Sequence, residues 1–353
     1  MQQTYRYGDP HTAFPEAGVD GSRVIALFIF NTDVHMHAYP ADGLDGRGAR
    51  TAAQLDEALI ACRDRCLFFE RTLSRTRADS DIARAHAAAP DPVEVEPETA
   101  ELVELARGYC ARSGGTFDIT MGTVTSLWDF HAGVVPGSLA LSRALPHVGM
   151  GHIHVSETDG GAPTLSIDDP KTVLDLGGIA KGYIADDLAR IMGEHGVGRF
   201  VLNLGGNVLV RGGRPADPRH GHARAGAPWR VGIVNPRDPG HSRAIVDVVD
   251  GSVVTSGLHE RCFTRGGVTY HHILDPATGM PAKTDVVSAT IVARRSLDCD
   301  GYSTAVLMLG VERGLELVEA TPNVEAVLID GSDEVFWTSG IEDSLSLVPA
   351  WTR

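Results

Sequence analysis

Hydrophobic residues recur along this chain at two periods, and the stretches that carry them interleave. The unbroken apolar run from Val24 to Phe30 predicts a buried strand, with Val34 to Tyr39 as its partner. Leu55, Leu59, Cys62, Cys66 and Phe69 then fall three or four residues apart. That spacing predicts one long helix from about Thr51 to Leu73, entered from a glycine-rich turn at Gly43 to Gly48. Ser80 is placed to cap a short helix over Asp81 to Ala87, and a further helix runs from about Glu98 to Arg112 and ends at Gly114. Between them, Ala88 to Pro97 sets Pro90, Pro92 and Pro97 among acidic residues and reads as a surface connection.

The pattern is densest in the middle of the chain. Val173, Leu174 and Leu176 predict a strand, Gly177-Gly178 breaks it, and Ile179, Tyr183, Ile184, Leu188 and Ile191 continue at helical spacing until Gly196 stops the helix. Phe200 to Leu204 predicts a second strand, which ends in another pair, Gly205-Gly206. Further strands are expected at Thr164 to Ile167, Val208 to Arg211, Trp229 to Val234, Ala244 to Val249, Val324 to Ile329 and Glu334 to Trp337. Helices are expected from Ser296 towards Gly310 and from Val311 to Ala320. Ala132 to Pro163 reads as loop-rich surface, and Gly212 to Pro228 as an exposed loop. No repeat or linker divides the chain, so residues 23–353 are expected to form one domain behind a polar N-terminal extension over residues 1–22.

Composition narrows the partners more than the fold. A formal net charge of −15 argues against nucleic acid and anionic membranes, which need a basic surface. A polyanionic ligand must therefore be held by local devices. The five cysteines, Cys62, Cys66, Cys110, Cys262 and Cys299, form no CxxC, so neither a disulfide framework nor a zinc site is expected. Residues 1–20 lack a basic stretch followed by an apolar one, and Val24 to Phe30 is too short to span a bilayer. A cytoplasmic location without membrane insertion is the expectation.

Several stretches could carry chemistry. The two glycine pairs and Lys181, in the first turn of a helix, could cradle a phosphate or pyrophosphate, although glycine pairs between strand and helix are also ordinary tight turns. Neither the P-loop spacing nor the dinucleotide Gly-x-Gly-x-x-Gly spacing is present. Asp118 lies among apolar neighbours and suits either a turn or a ligand role. His271 and His272 alternate faces just before the turn Asp275 to Gly279, and either could be a solvated surface residue. Asp300 and Thr304 stand at i and i+4 on a helix, as two hard oxygen donors suited to Mg²⁺ or as capping residues.

In order along the chain, these blocks resemble the ApbE family of FAD:protein FMN transferases. The resemblance rests on Leu73-Ser-Arg-Thr-Arg-Ala-Asp-Ser80, Gly115-Thr-Phe-Asp-Ile-Thr120 with Leu127-Trp128, Leu174-Asp-Leu-Gly-Gly-Ile-Ala-Lys-Gly182, Asn203-Leu-Gly-Gly206, Thr255-Ser-Gly257 with Glu260-Arg261, His272-Ile-Leu-Asp-Pro276 with Thr278-Gly279, and Asp300 with Ser303-Thr-Ala305. It spans about Val24 to Gly310. It implies a single α+β domain with mixed or antiparallel sheets flanked by helices, holding FAD in a cleft with Mg²⁺ at its pyrophosphate. Carried over by position, Asp300, Thr304 and Gly178 resemble metal ligands, the last through its carbonyl. Phe30, Thr76, Thr116, Phe117, Asp118, Asp175, Lys181 and Leu274 match FAD-contacting positions, and His272 the catalytic histidine. Gly301-Tyr302 stands where Ala-Leu is usual. The implied reaction is Mg²⁺-dependent transfer of FMN from FAD to a Ser or Thr hydroxyl of a client flavin-acceptor protein, with release of AMP. Hydrolysis of FAD to FMN and AMP, or FAD binding without chemistry, would use the same residues.

Overall fold

The structure, a computed structural model, describes residues 9–40, 50–215 and 226–349. The glycine-rich turn expected at Gly43 to Gly48 and the middle of the loop expected at Gly212 to Pro228 lie outside them. Among the described residues, nine strands build one sheet: β1 (Glu16–Ala17), β2 (Arg23–Ile29), β3 (Thr32–Ala38), β4 (Phe200–Leu204), β5 (Asn207–Arg211), β6 (Gly251–Gly257), β7 (Val286–Ala293), β8 (Val324–Asp330) and β9 (Val335–Trp337). Their order in space is their order in the chain, and every neighbouring pair is antiparallel. β1 comes from the polar N-terminal stretch, which thus supplies one edge of the sheet.

Side-chain alternation along the strands feeds two cores. On β6 and β8, Val254, Ala326 and Leu328 point to a helical layer. Val253, Val327 and Ile329 point to the opposite face, where a three-stranded sheet of Trp229–Asn235, Asp238–Val248 and Leu345–Leu347 covers them. The longer helices among the described residues are α1 (Ala52–Leu73), α2 (Asp81–Ala88), α3 (Pro97–Arg112), α4 (Ala180–Glu194) and α5 (Ser296–Glu319). Thr51 caps α1 in a capping box with Gln54, and Ser80 caps α2 through Ala83 N. Cys62 and Cys66 are fully buried against this core. No helix among the described residues is long and apolar enough to cross a membrane.

α4 and α5 meet at their N-terminal ends, and the meeting is tight enough to require glycine. A Cβ on Gly182 would come within 2.5 Å of the Ser296 carbonyl oxygen. Asp186, one turn on, supplies what the start of α5 lacks: its carboxylate accepts from Ser296 N (2.9 Å) and Leu297 N (3.0 Å). Farther along, Gly310 sits at φ +83°, which interrupts α5 and separates the two helices expected from the sequence. Asp285 Oδ1 restarts the second half by accepting from Val311 N at 3.1 Å.

Two expectations are corrected. Val173 to Leu176 forms no strand beyond a single bridge from Val173 to Met121. The loop over residues 119–123 takes its donors instead: Asp175 N donates to Ile119 O (2.7 Å) and Val173 N to Thr123 Oγ1 (2.8 Å). Ala132 to Pro163 contains a helix, Ser138–Ala144, and a strand, Ile153–Glu157, that pairs with Pro163–Ile167. The connection Ala88 to Pro97 lies at the surface as expected, and within it Val93–Glu94 pairs with the same strand.

Candidate active site

A cavity of about 880 Å³ opens where the glycine turns, the N-terminal turns of α4 and α5, and the C-terminal end of β6 converge. Thr116, Phe117, Asp118, Asp175, Gly178, Lys181, His272, Leu274, Asp300 and Thr304 all line it. Phe30 and Thr76 do not. Phe30 sits at φ +58° in the tight β2–β3 turn, where its N–H donates to Glu70 and its ring packs on the main core. Thr76 is exposed, and its N–H and hydroxyl are directed at Ser74 Oγ. The neighbouring Arg75 lines the cavity instead, paired with Asp175 at 3.2 Å.

Asp300 is the most enclosed charge in the site, at 4% exposure. Its Oδ2 accepts from Gly182 N (2.6 Å) and its Oδ1 from Asn207 Nδ2 (3.2 Å). Asn207 is itself fixed, because its Oδ1 accepts from Ser296 Oγ at 2.7 Å. Burial raises the Asp300 pKa, opposed by the nearby Lys181 charge and by these two hydrogen bonds. Among the described residues it has no ion-pair partner. A buried carboxylate held by neutral donors, with a hydroxyl (Thr304) and a backbone carbonyl (Gly178) on the same cavity wall, is an all-oxygen donor set that fits a hard cation. The described residues contain no cluster of three or more His, Cys, Asp or Glu able to hold a metal alone. Ligand phosphate and water oxygens would have to complete the shell, as is usual for Mg²⁺.

Thr304 is oriented from β6: Ser256 Oγ lies 3.3 Å from Thr304 Oγ1 and donates to Ser303 Oγ at 2.9 Å. Lys181 Nζ donates to Gly177 O at 3.1 Å, which folds its charge over the glycine turn. Asp118 is not aimed at solvent: its Oδ1 accepts from Thr120 N (2.7 Å) and Thr120 Oγ1 (2.6 Å), while burial raises its pKa. The Gly205-Gly206 turn joins the same wall.

His272 stands across the cavity at the base of a hairpin formed by Cys262–Arg265 and Val268–His271. Desolvation by the surrounding wall, aided by the Arg261 charge, pushes its pKa down to about 4, so the ring is neutral near pH 7. Its Nδ1 is 3.3 Å from Arg261 O, which places the ring proton there and leaves Nε2 as the acceptor. Trp128, Phe130, Phe263 and Tyr270 stack beside this wall, with Trp128 Nε1 donating to Gly279 O at 3.1 Å.

Asn207, Ser256, Asp186 and Arg75 act here without having been marked as candidates in the sequence. Arg75 and Ser256 lie inside blocks that carry the resemblance, and Ser256 is also a hydroxyl residue where an apolar strand runs into glycine; Asn207 and Asp186 had no local signal. Gly301-Tyr302 also finds its reason. The Tyr109 ring occupies the space of a Gly301 Cβ, with ring carbons within 2.5 to 2.7 Å, and meets Tyr302 edge-on at 5.2 Å. Tyr302 Oη in turn accepts from Arg112 Nε at 2.8 Å. Gly301→Ala is therefore expected to destabilise the fold by about 1–3 kcal/mol through overpacking, read as a lowered urea midpoint. An unchanged midpoint would show that the Tyr109 ring moves freely.

Comparison with known proteins finds relatives that match most of the chain. The family model described as ApbE family matches residues 30–328. A protein named FAD:protein FMN transferase from Treponema pallidum (strain Nichols) is 38% identical over 307 residues, covering 85% of this chain and 84% of its own. One of the same name from Klebsiella pneumoniae (strain 342) is 32% identical, with 76% of each chain covered. The crystal structure of the ApbE protein from Thermotoga maritima superposes with a TM-score of 0.76 at 25% identity, over 92% of this chain and 99% of that one.

Proposed function

Because the chain belongs to the ApbE family, we propose that it is the transferase its relatives' name describes, moving the FMN half of FAD onto a Ser or Thr hydroxyl of a client protein and releasing AMP. The observation that carries this reading is the convergence on one cavity of a glycine turn with Lys181, a buried acceptor-only carboxylate at Asp300, and a neutral histidine facing them. At about 880 Å³ the cavity lies toward the upper end of the roughly 300–1,000 Å³ range of ligand pockets, which suits a dinucleotide.

The residues divide the work. Lys181 and the amides of the glycine turns offset the charge of the pyrophosphate in a protein that is otherwise strongly acidic. Asp300, Thr304 and the Gly178 carbonyl are the residues that would hold Mg²⁺, whose contribution is to neutralise phosphate oxygens and orient the leaving group. His272 Nε2 accepts the proton of the client hydroxyl as its oxygen attacks the FMN phosphorus. The bond from that phosphorus to the bridging oxygen breaks, and AMP leaves with the electron pair. Ser256 and Asn207 keep Thr304 and Asp300 in place.

FAD is expected to bind much more tightly than FMN, since the groups that face the pyrophosphate have nothing to hold in FMN. Equal affinities in titration calorimetry would count against the assignment. EDTA is expected to abolish transfer, Mg²⁺ to restore it, and Zn²⁺ to restore it poorly, because every assigned ligand is an oxygen. Mass spectrometry of an acceptor protein incubated with enzyme, FAD and Mg²⁺ tests the whole reading: a covalent FMN adduct supports transfer, whereas free FMN and AMP alone would mark a hydrolase.

A further inference from the structure

The hairpin that carries His272 pairs with no further strand among the described residues, and the edge of its first strand runs into the cavity. Gly266 and Gly267, at φ +59° and +78°, form a two-residue turn that makes Arg265 and Val268 a hydrogen-bonded pair. His272 N donating to Arg261 O (3.0 Å) fixes the same parity at the base. In an antiparallel ladder such pairs alternate with non-bonded ones, so the N–H and C=O groups of Cys262 and Thr264 point outward from the hairpin. The contact between Thr264 Oγ1 and Thr269 Oγ1 at 3.1 Å agrees, since side chains approach more closely across non-bonded pairs. Beyond the second strand the chain turns back on itself, Ala282 N donating to Ile273 O (3.0 Å) and Asp275 N to Met280 O (2.9 Å), so the stretch that follows His271 already has its own partner. Along the first strand, Cys262, Thr264 and Arg265 are exposed, no further strand pairs with it among the described residues, and Cys262 itself lines the cavity.

We propose that the client's acceptor segment docks as a third, extended strand on the Cys262–Arg265 edge, so that its backbone bonds to Cys262 and Thr264 deliver its hydroxyl to His272. This rests on the FMN-transfer reading. It makes the client's recognition element an extended stretch of chain, because the affinity of strand addition is carried by main-chain groups. The ordinary alternative, a short edge blunted by Arg265 and used for nothing, predicts no effect on transfer from any change at this edge.

The probe is a set of twelve-residue segments with a single central threonine, fused to a carrier protein and screened for covalent flavin fluorescence after incubation with the enzyme, FAD and Mg²⁺. No labelling of the segments or of any protein in a cell extract would remove the transferase reading and the docking together. Labelled extract proteins with no labelled segment would overturn the docking alone, since backbone pairing asks for no folded partner. For a labelled segment, single N-methylation along its backbone is expected to lower kcat/KM at alternate positions by about tenfold, reflecting lost hydrogen bonds; a flat profile overturns the proposal. On the enzyme, Thr264→Pro removes an outward-facing donor while leaving the hairpin's own ladder intact. It is expected to raise KM for the segment about tenfold with kcat and FAD affinity little changed, while Thr269→Pro, its mirror on the opposite strand, leaves KM within about twofold. Equal effects of the two prolines, or none, overturn it.

Discussion

Asp300→Asn is expected to lower FMN transfer by roughly a hundredfold or more, the scale of losing a principal electrostatic stabiliser. The carboxylate accepts from Gly182 N and Asn207 Nδ2 at once. An amide presents one oxygen and one NH₂ group, so it can satisfy only one of these donors and sets its own NH₂ against the other. A stability loss of about 1–3 kcal/mol should accompany the kinetic effect. Transfer is therefore measured per folded molecule, with Mg²⁺ raised well above the parent requirement. Partial recovery at high Mg²⁺ identifies weakened metal affinity as the cause. Parent-level turnover in limiting Mg²⁺ would reduce Asp300 and Thr304 to structural features of the helix.

His272→Asn is expected to act on a different step. Calorimetry should find FAD and Mg²⁺ binding retained, while transfer slows by about the hundred- to ten-thousandfold typical of a lost general base, and added Mg²⁺ should not help. The same residue sets a pH signature. A histidine with an ordinary pKa near 6.5 would put the acid limb of kcat/KM near that pH. Since desolvation holds His272 at about 4, the free enzyme keeps the ring neutral, and the limb is expected near pH 4. The stability linkage has a matching sign. The folded-state pKa lies below the unfolded value, so the unfolded chain binds more protons between about 6.5 and 4. This residue's contribution is present above that window and is lost as pH falls through it. Parent-rate transfer by His272→Asn would remove its role as base.

What could be read from the sequence was what local chemistry decides. The glycine turn before α4, the cap at Ser80, the turn Asp275 to Gly279 and the stacking of Asp300 under Thr304 all follow from neighbours a few residues apart. β7 was illegible for the opposite reason. Its Val-Val-Ser-Ala-Thr-Ile-Val-Ala sequence is paired on both sides and covered on both faces, so no polar alternation marks it as a strand. Val173 to Leu176 misled because an apolar extended segment looks the same whether its donors meet a strand or a loop. The partners of Asp300 and the cap from Asp186 are separated from them by about a hundred residues, and only the packing of α4 on α5 brings them together. Phe30 and Thr76 are the positions where family correspondence and geometry part. Each is held by its own turn, outside the cavity wall.

The sheet's agreement between chain order and spatial order has one long interruption, between β3, which ends at Ala38, and β4, which begins at Phe200. On the ribosome this becomes a delay. The β2–β3 hairpin can close as soon as it emerges, but the strand that must cover its outer edge is made roughly 160 residues later, about 10–30 s at the usual pace of synthesis of roughly 5–20 residues per second. For that interval the nascent chain offers an open row of main-chain donors and acceptors beside an apolar face, the arrangement most prone to pairing with another chain. Expression yield should therefore respond to holdase chaperones and to codon speed between β3 and β4 more than to changes elsewhere, since translation beyond β4 extends the sheet onto an edge that is already in place.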